Sequence, residues 1–321
     1  MARSNGRGAP GRERSGGRGG AETLTAGHTR VDVTKPGKVL FSEDGITKAD
    51  LARYYRRIAP TMVRHARNRP MAAERFPEGI GGQRIFQKNV PEHFPDWVRR
   101  VDVPKKEGGT TEHAVCDDAA TLVYLADQAC VTPHVWLSRV DALSKPDRLI
   151  FDLDPPGEQL DRLRSAARRV RELFDQLGLA AFVMTTGSRG FHVAAPLRRE
   201  RVFDEVRDFA RRAASALAES APDELTVQQR KEDRGDRIFL DYLRNAYAQT
   251  AVAPYSVRAK PGAPVAMPLS WEEIDDTVPW QYTMDGAARR VREHGDAWSN
   301  FASRARSLDR PLRRLDELVA D

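Results

Sequence analysis

Two aspartates follow a short apolar run near the middle of the chain, within Phe-Asp-Leu-Asp-Pro-Pro at residues 151–156. Residues 148–150 precede them and predict a buried strand. Asp152 and Asp154 are two residues apart, so on a strand both side chains point to the same face. The prolines then end the strand. Two carboxylates on one face repel each other unless a divalent cation, which prefers oxygen ligands, lies between them. The alternative is an acidic strand end that is simply hydrated.

The sequence on both sides of this pair predicts an alternation of helices and strands. Residues 119–131 favour a helix, and 134–136 a short strand. Apolar residues recur at helical spacing over 160–177. A strand over 181–186, a tight turn at 187–190, a returning strand over 191–194 and a helix over 202–217 come next. A further apolar strand, 238–242, contains Asp241, and residues from 284 onwards are predicted to be helical.

Cationic side chains accompany the three strand-end carboxylates. An alternating run predicts a strand over 255–260 with its even-numbered residues, Ser256, Arg258 and Lys260, on one face. Arg244 lies beside the third carboxylate in sequence. Arginines at such positions can bind the outer phosphates of a nucleotide in a bidentate manner. The alternative is a purely structural network of ion pairs between the aspartates and the two arginines.

The glycine-rich turn at 187–190 adds neutral donors to this group. Ser188 and the glycine amides of the turn can hold phosphate oxygens. His192 leaves the turn on the next strand, whereas His134, after a proline, is of a kind that is usually structural. Acids that bridge metal ions beside cations that bind phosphate are what nucleotidyl transfer requires, because one ion activates a 3′-hydroxyl and another neutralises the leaving pyrophosphate.

The N-terminal part combines a basic arm with isolated lysines. Residues 1–28 are rich in Gly, Arg and Ser, and we expect them to be disordered. Thr47 is a predicted helix cap, and Lys48 in the first helical turn, with Lys38 nearby, favours an anion bound at the helix N-terminus. Both lysines as ordinary surface residues are the alternative. Phe86 is a candidate for stacking on a base, and a place in the core is the alternative.

Composition bounds the classes of protein that remain. The 321 residues suffice for about two average domains or one large one. A net charge of +6 and an isoelectric point near 9.4 favour a polyanionic partner. Cys116 and Cys130 lack metal-ligand spacing, so we expect reduced, buried thiols and a cytoplasmic location. No apolar run approaches the ~18 residues of a membrane span. Neither a P-loop nor a dinucleotide fingerprint is present in the sequence.

Four motifs carry a resemblance to a known family. They are Asp152-Leu153-Asp154-Pro155, Gly187-Ser188-Arg189-Gly190-Phe191-His192, Leu240-Asp241-Tyr242-Leu243-Arg244-Asn245 and Tyr255-Ser256-Val257-Arg258. They resemble the polymerase domain of bacterial ligase D, within the archaeo-eukaryotic primase superfamily, from about residue 30 to the C-terminus. The chain has no room for ligase or nuclease domains, so it is similar to the stand-alone relatives called Prim-PolC or ligase-D-like polymerases.

The resemblance implies an α/β fold: a primase-polymerase catalytic core with a mixed β-sheet and flanking helices. It implies a single domain over 29–321, with an N-terminal part that binds a DNA 5′-phosphate over 29–110 and a catalytic core over 111–321. The implied function is a template-dependent DNA/RNA polymerase that fills short gaps or extends broken ends. The implied substrates are gapped or broken double-stranded DNA with a 5′-phosphate and nucleoside triphosphates, with ribonucleotides preferred.

The resemblance also implies roles for individual residues and partners. The metal-binding and catalytic residues would be Asp152, Asp154 and Asp241, with two Mn²⁺ or Mg²⁺ ions. The nucleotide-binding residues would be His134, Ser188, His192, Arg244, Arg258 and Lys260. The 5′-phosphate would be held by Lys38 and Lys48, and Phe86 would stack on DNA. We expect a monomer at the bacterial nucleoid, in end joining or excision repair, with a separate DNA ligase or Ku as candidate partners.

Three residues depart from the family pattern, and two other classes of function compete. Arg189 replaces a lysine common in the glycine turn, Lys260 replaces an arginine, and Ile85 stands where a first aromatic is expected. One competing class is a non-catalytic DNA-end-binding module. The other is a metal-dependent phosphohydrolase of the haloacid-dehalogenase type, although that family has Thr or Val shortly after the second aspartate, where two prolines stand here.

Overall fold

The structure, a computed structural model, describes residues 20–320. Within that range the six α-helices are α1 (Lys48–Ala66), α2 (Ala119–Asp127), α3 (Leu160–Leu177), α4 (Phe203–Ser220), α5 (Met284–His294) and α6 (Asp309–Ala320). The strands of the N-terminal part are β1 (Glu22–Ala26), β2 (Thr29–Val33), β3 (Val39–Phe41), β4 (Ile46–Thr47), β5 (Met71–Arg75), β6 (Ile85–Gln87), β7 (Arg100–Pro104) and β8 (Thr110–Ala114). The later strands are β9 (Cys130–Trp136), β10 (Arg148–Asp154), β11 (Phe182–Thr185), β12 (Phe191–Pro196), β13 (Leu225–Thr226), β14 (Ile238–Asp241), β15 (Thr250–Val252) and β16 (Pro268–Leu269).

Strand β10 lies inside a six-stranded sheet of order β13-β14-β10-β12-β11-β16. Only the β13–β14 pair is parallel within this sheet. The odd-numbered residues of β10 are buried towards α3, where Phe151 stacks on Phe174 with ring centroids 5.6 Å apart. Because side chains alternate along a strand, Asp152 and Asp154 share the opposite face. The mixed sheet with flanking helices confirms the predicted α/β class.

A second sheet has the order β15-β9-β5-β6, and each pair of neighbouring strands in it is antiparallel. Three two-stranded ribbons, β1–β2, β3–β4 and β7–β8, accompany the two sheets. One buried apolar cluster extends from Leu24 in β1 to Leu315 in α6. The residues before and after position 110 therefore share a core.

Local sequence signals placed several elements correctly. Helix α3 has the predicted bounds and ends at Gly178, whose φ of +84° is in the left-handed region. Thr47 caps α1: its hydroxyl accepts from the amide of Asp50, whose carboxylate accepts from the amide of Thr47. Cys116 and Cys130 are buried free thiols, as expected.

Other expectations were wrong. Residues 22–26 of the predicted disordered arm form β1, which pairs with β2 and buries Leu24; residues 1–19 lie outside the described range. Residues 255–260 are turns with one isolated bridge between Val257 and Val265, because Tyr255 has a φ of +69° that interrupts an extended chain. Helix α2 stops at Asp127, and the C-terminal segment is broken between α5 and α6.

A buried asparagine extends the sheet beside the aspartates. Strand β14 pairs with β10 from Asp152 to Asp154, so it leaves the start of β10 without a backbone partner on that side. The Asn245 side chain takes this place. Its oxygen accepts from the Ile150 amide at 2.9 Å, and its nitrogen donates to the Ile150 carbonyl at 2.7 Å. Asn245 thereby fixes the short 3₁₀ helix Leu243–Asn245, which carries Arg244.

Replacing Asn245 by alanine should destabilise the protein, because it leaves the amide and carbonyl of Ile150 buried without partners. We expect the free energy of unfolding to fall by about 2–3 kcal/mol, measured by urea denaturation. Asn300→Ala, at an exposed position, is the matched control and should leave the midpoint unchanged. Equal midpoints for the two variants would contradict the role given to the side chain.

No helix among residues 20–320 is both long enough and apolar enough to cross a membrane.

Candidate active site

A cavity of about 360 Å³ opens between the two sheets, at the end of β10 where the aspartates lie. Eight of the residues proposed from the sequence line it: His134, Asp152, Asp154, Ser188, His192, Asp241, Arg244 and Arg258. They come from both sheets, from the turn after β11 and from the segment after β15. The lining of this cavity agrees with the expectation that acids and cations from distant parts of the sequence lie close together.

Asp152 and Asp241 stand directly opposite each other on β10 and β14. Like charges in this position destabilise a sheet. Burial raises the pKa of Asp241, and the neighbouring Asp152 raises it further. Burial also raises the pKa of Asp152, but His192, Arg244 and Arg258 outweigh that effect, and the net shift is downward. The Arg244 Nε is 3.8 Å from Asp152 Oδ2 and 3.7 Å from Asp241 Oδ2, too far for good hydrogen bonds.

Asp154 shares the face but is held by arginines. Arg234 Nη1 is 3.1 Å from its Oδ2, and Arg189 Nη2 is 3.8 Å from its Oδ1. The guanidinium of Arg234 lies 3.9 Å from the centre of the Phe239 ring, which fixes its position. In the described part of the chain, no three His, Cys, Asp or Glu side chains are already grouped around a point where a metal could bind. The site thus contains a facing pair of carboxylates and a third that contacts arginines.

The donor set fits a hard divalent cation. The candidate ligands are carboxylate oxygens, which suit Mg²⁺ or Mn²⁺ better than softer metals. A cation between Asp152 and Asp241 would relieve the repulsion that raises the pKa of Asp241. The metal role of the three aspartates stays a prediction.

The turn between β11 and β12 is shaped by a residue that sequence reasoning missed. The buried Thr186 Oγ1 accepts from the amides of Ser188 and Gly190, each at 3.2 Å. Gly187 has a φ of +62°, and a Cβ there would lie 2.7 Å from Arg258 Cγ. Glycine is therefore required for Arg258 to lie against the turn. A Thr-Thr-Gly-Ser sequence after a strand does not by itself predict that the second threonine will hold the turn amides.

Arg258 and His192 have hydrogen-bonding groups without partners among the described residues. Arg258 Nη1 donates to the Thr186 carbonyl at 2.7 Å, whereas its buried Nε has no partner. Burial lowers the pKa of Arg258. His192 Nε2 is 3.4 Å from Asp152 Oδ1, and its buried Nδ1 has no partner. Such groups are costly in an empty site and are expected where a ligand completes the hydrogen bonds.

His134 belongs to a second network, on β9, β5 and β6. Its Nε2 is 3.4 Å from Glu74 Oε2, and Arg84 Nε is 2.5 Å from Glu74 Oε1. Phe86 stacks edge-on against His134 with centroids 5.2 Å apart. Burial lowers the pKa of His134, and Glu74 opposes this only in part. Glu74 was missed from the sequence because its partner lies 60 residues away.

The protein-family model described as "LigD, primase-polymerase domain" matches residues 47–298 of the chain. The chain belongs to this family. LigD of Mycobacterium tuberculosis, described as a multifunctional non-homologous end joining DNA repair protein, is 33% identical over 298 residues, which are 90% of this chain and 39% of the relative. LigD of Pseudomonas aeruginosa is 32% identical over 304 residues, which are 92% of this chain and 36% of the relative. The chain thus spans about two fifths of the length of these relatives.

A solved structure agrees with the family. The polymerase domain of Mycobacterium tuberculosis ligase D in complex with DNA matches with a TM-score of 0.81 and 32% identity, covering 86% of this chain and 99% of that one. The resemblance drawn from the four motifs is therefore confirmed. Membership in the LigD primase-polymerase family makes the chain a nucleotidyltransferase by class.

The remaining proposed residues of this LigD-type domain lie outside the cavity. Lys48 is buried, with its Nζ 3.1 Å from Asp127 Oδ1 and 3.2 Å from Thr34 Oγ1, so it is neither a surface residue nor free for a phosphate as it stands. Lys38 is partly exposed and contacts Glu78 at 3.1 Å. Lys260 is exposed and does not line the cavity, because residues 255–260 are not a strand.

The structure shows what surrounds Arg189 and Ile85, two of the residues that depart from the LigD pattern. Arg189 is exposed and faces Asp154. Ile85 and Phe86 are each about 38% exposed, so both are surface residues and the core alternative for Phe86 does not hold. The Arg84 guanidinium lies 5.6 Å from the Phe86 ring centre, which leaves a flat aromatic face beside a cation.

Glu74 should make stability depend on pH. Burial alone would raise its pKa, but His134 and Arg84 outweigh burial and lower the pKa to about 2. A depressed folded-state pKa gives stability that is fully present above the unfolded value of about 4.3 and is lost as pH falls towards 2. We expect Glu74→Gln to lower the free energy of unfolding by about 1–2 kcal/mol at pH 7, and the difference from wild type to shrink as pH falls from 5 to 2. Urea denaturation at several pH values measures this, with Glu107→Gln on an exposed turn as control. A difference independent of pH would rule the explanation out.

Proposed function

We propose that this chain is a template-dependent polymerase of DNA repair, which adds nucleotides next to a 5′-phosphate at a gap or a broken end. One observation carries the proposal: the facing pair Asp152 and Asp241 lies in the same cavity as cationic and hydrogen-bonding groups that have no partner among residues 20–320. Paired acids suit metal ions, and the unpaired donors suit a triphosphate.

The proposed roles follow from position. Asp152, Asp241 and Asp154 would hold two divalent ions, and these ions supply activation of a 3′-hydroxyl and neutralisation of pyrophosphate. Arg258 Nε would donate to a phosphate oxygen across from the turn. Ser188 and the turn amides can orient a second oxygen. His192, beside Asp152, can donate to the same phosphate chain.

Arg244 would compensate charge between the two facing aspartates until the ions bind. His134, largely neutral because burial lowers its pKa, would contact the nucleotide from the second sheet. Phe86 with Arg84 provides a surface on which a base can stack. Lys260, exposed outside the cavity, would contact only the outermost phosphate.

The proposal extends to substrates and setting. The family resemblance supports ribonucleotides as preferred substrates and Mn²⁺ as an ion at least as effective as Mg²⁺. We assign the 5′-phosphate to Lys38, with Lys48 fixing the local structure beneath it through Asp127. Gap filling in excision repair and end joining both use such a product, with a separate ligase or Ku as a partner.

A primer-extension assay on a gapped duplex tests the function. The downstream strand carries either a 5′-phosphate or a 5′-hydroxyl, and ribo- or deoxynucleotides are supplied with Mn²⁺ or Mg²⁺. We expect extension by the wild type and none by Asp154→Ala. We expect the 5′-phosphate to stimulate the wild type and Lys106→Ala, an exposed control, but not Lys38→Ala.

The result that would overturn the proposal is no extension by wild type, or equal extension by Asp154→Ala. Binding to the phosphorylated gap without any synthesis would favour a DNA-end-binding module. Hydrolysis of a chromogenic phosphate ester by the wild type, lost in Asp152→Ala, would favour a phosphohydrolase.

A further inference from the structure

A second cavity, of about 620 Å³, lies at the other end of β10. It is formed by the end of α1, the segment before β10, the end of β12 and residues 296–305. Of the residues that the structure describes, none lines both this cavity and the active-site cavity. Arg148, which begins β10, is four residues from Asp152, a distance of about 13 Å along the strand. The second cavity is therefore a separate place on the molecule, and its properties do not depend on the proposed polymerase function.

The floor of this cavity contains more positive than negative charge. Asp147 Oδ2 is 2.6 Å from Arg69 Nη2 and 2.7 Å from Arg139 Nε, and Asp147 Oδ1 is 3.7 Å from Arg148 Nε. Arg69 and Arg148 are buried. One carboxylate thus faces three guanidinium groups. Uncompensated charge is expensive to bury, so an anion here would be strongly favoured.

Arg148 is the least satisfied member of this group. Its Nη2 donates to the His65 carbonyl at 3.2 Å, whereas its Nε has no hydrogen-bond partner within the described range. Asp147 Oδ1, 3.7 Å from that Nε, is also without a hydrogen-bond partner there. Burial, and then the nearby Arg69, lower the pKa of Arg148 to about 9. Its guanidinium lies 5.4 Å from the centre of the Phe301 ring, which holds it in the cavity wall. A buried cation with an unpaired donor is the feature expected of an anion site.

The rim adds further positive charge that the acids do not balance. Asp141 is paired with Arg199 at 2.5 Å. Asp296 is already used, because it binds His65 at 2.8 Å and the Tyr255 hydroxyl at 2.6 Å. Arg198 is exposed, and its nearest acid in the described chain is Glu200 at 4.0 Å. Arg64, also exposed, lines the same opening.

We propose that this second cavity is an anion-binding site for a phosphate group, held by Arg148 at the floor and by Arg64 and Arg198 at the rim. Planar guanidinium groups suit the geometry of phosphate oxygens. Trp298 and Phe301, stacked on each other with centroids 5.0 Å apart, give the cavity an apolar wall for whatever carries the phosphate. The phosphate could belong to a DNA backbone or to a small phosphorylated compound.

Calorimetric titration with inorganic phosphate tests the site. Because the active-site cavity also contains phosphate-binding groups, the titration is made on an Arg244→Gln/Arg258→Gln background as well as on the wild type. We expect the background protein to bind one phosphate. Adding Arg148→Gln, or the exposed Arg198→Gln, should weaken that binding by about tenfold. Arg207→Gln, an exposed arginine of α4 away from both cavities, is the matched control and should not change it.

A second arm identifies the source of the phosphate. A continuous duplex closed by hairpins offers backbone phosphates but no gap and no 5′-phosphate. If Arg198→Gln weakens duplex binding and reduces the slope of its salt dependence by about one, the source is the DNA backbone. If only inorganic phosphate binding falls, the source is a small phosphorylated compound. Absence of phosphate binding to the background protein would overturn the proposal, and so would binding by both cavity variants that is as tight as that of the background protein. Because Arg198 is exposed, its variant gives an answer even if Arg148→Gln fails to fold.

Discussion

Asparagine in place of Asp152 or Asp241 is expected to lower the rate of nucleotide addition by about a thousandfold or more. The substitution keeps the shape of the side chain but removes one of the two facing negative charges that would hold a cation. Metal ions contribute several kcal/mol to such reactions, and each 1.36 kcal/mol is a factor of ten in rate. Single-turnover extension of a gapped primer measures the effect.

Stability separates this effect from misfolding. Because the Asp152 charge raises the pKa of Asp241, Asp241→Asn should unfold at the same temperature as the wild type or higher when no divalent ion is added. Asp152→Asn loses a charge that the neighbouring histidine and arginines favour, so it should still unfold cooperatively but at a lower temperature. Asp161→Asn, at a fully exposed position on α3, is the matched control and should keep full activity. Wild-type extension by Asp241→Asn would show that the facing pair is not part of the catalytic machinery.

Alanine in place of Gly190 is expected to abolish most activity and to destabilise the fold by about 3 kcal/mol. A Cβ at this position would lie 2.0 Å from the Leu153 carbonyl oxygen. That oxygen belongs to the backbone of β10 between the two aspartates, so no side-chain rotation can relieve the clash. The strand or the turn must shift, and either shift moves the carboxylates relative to Ser188 and His192.

The effect should be specific to this contact. Gly157, just after the Asp-Pro-Pro segment, does not have a positive φ, and a Cβ at this position would meet no other atom within 4 Å. Gly157→Ala should therefore leave both the denaturation midpoint and the extension rate unchanged. If Gly190→Ala kept near-native stability and activity, the close contact between residue 190 and the Leu153 carbonyl oxygen would be contradicted.

Sequence reasoning succeeded where the signal was local. The spacing of apolar residues predicted α3, and a threonine that can cap a helix predicted the start of α1. The acids could be placed at strand ends because a proline or a polar residue stops an apolar run. The meeting of these ends in one cavity was inferred from chemistry, and the observed lining agrees with it.

It failed where the decisive partner is distant in the chain. Lys48 was predicted to face an anion, but Asp127, 79 residues away, neutralises it inside the protein. The contact between Arg234 and the Asp154 carboxylate, 80 residues apart, was not predicted either, while the metal role of Asp154 stays a prediction. Residues 255–260 alternate in polarity, yet Ser256 is buried and donates to the Pro133 carbonyl. Alternation in a short run cannot separate a strand from a buried turn with the same exposure pattern.

The position of β10 between β12 and β14 has a consequence for how the site can move. Its aspartates belong to a strand bonded on both sides, and such amides are among the last in a protein to exchange their hydrogens with solvent. Arg234 and Arg189, by contrast, project from turns outside the sheets. We therefore expect adjustment to an arriving substrate at the exposed Arg189, whereas Arg234 is held by the Phe239 ring and the carbonyls of residues 228 and 229, and the acids are held by the strand.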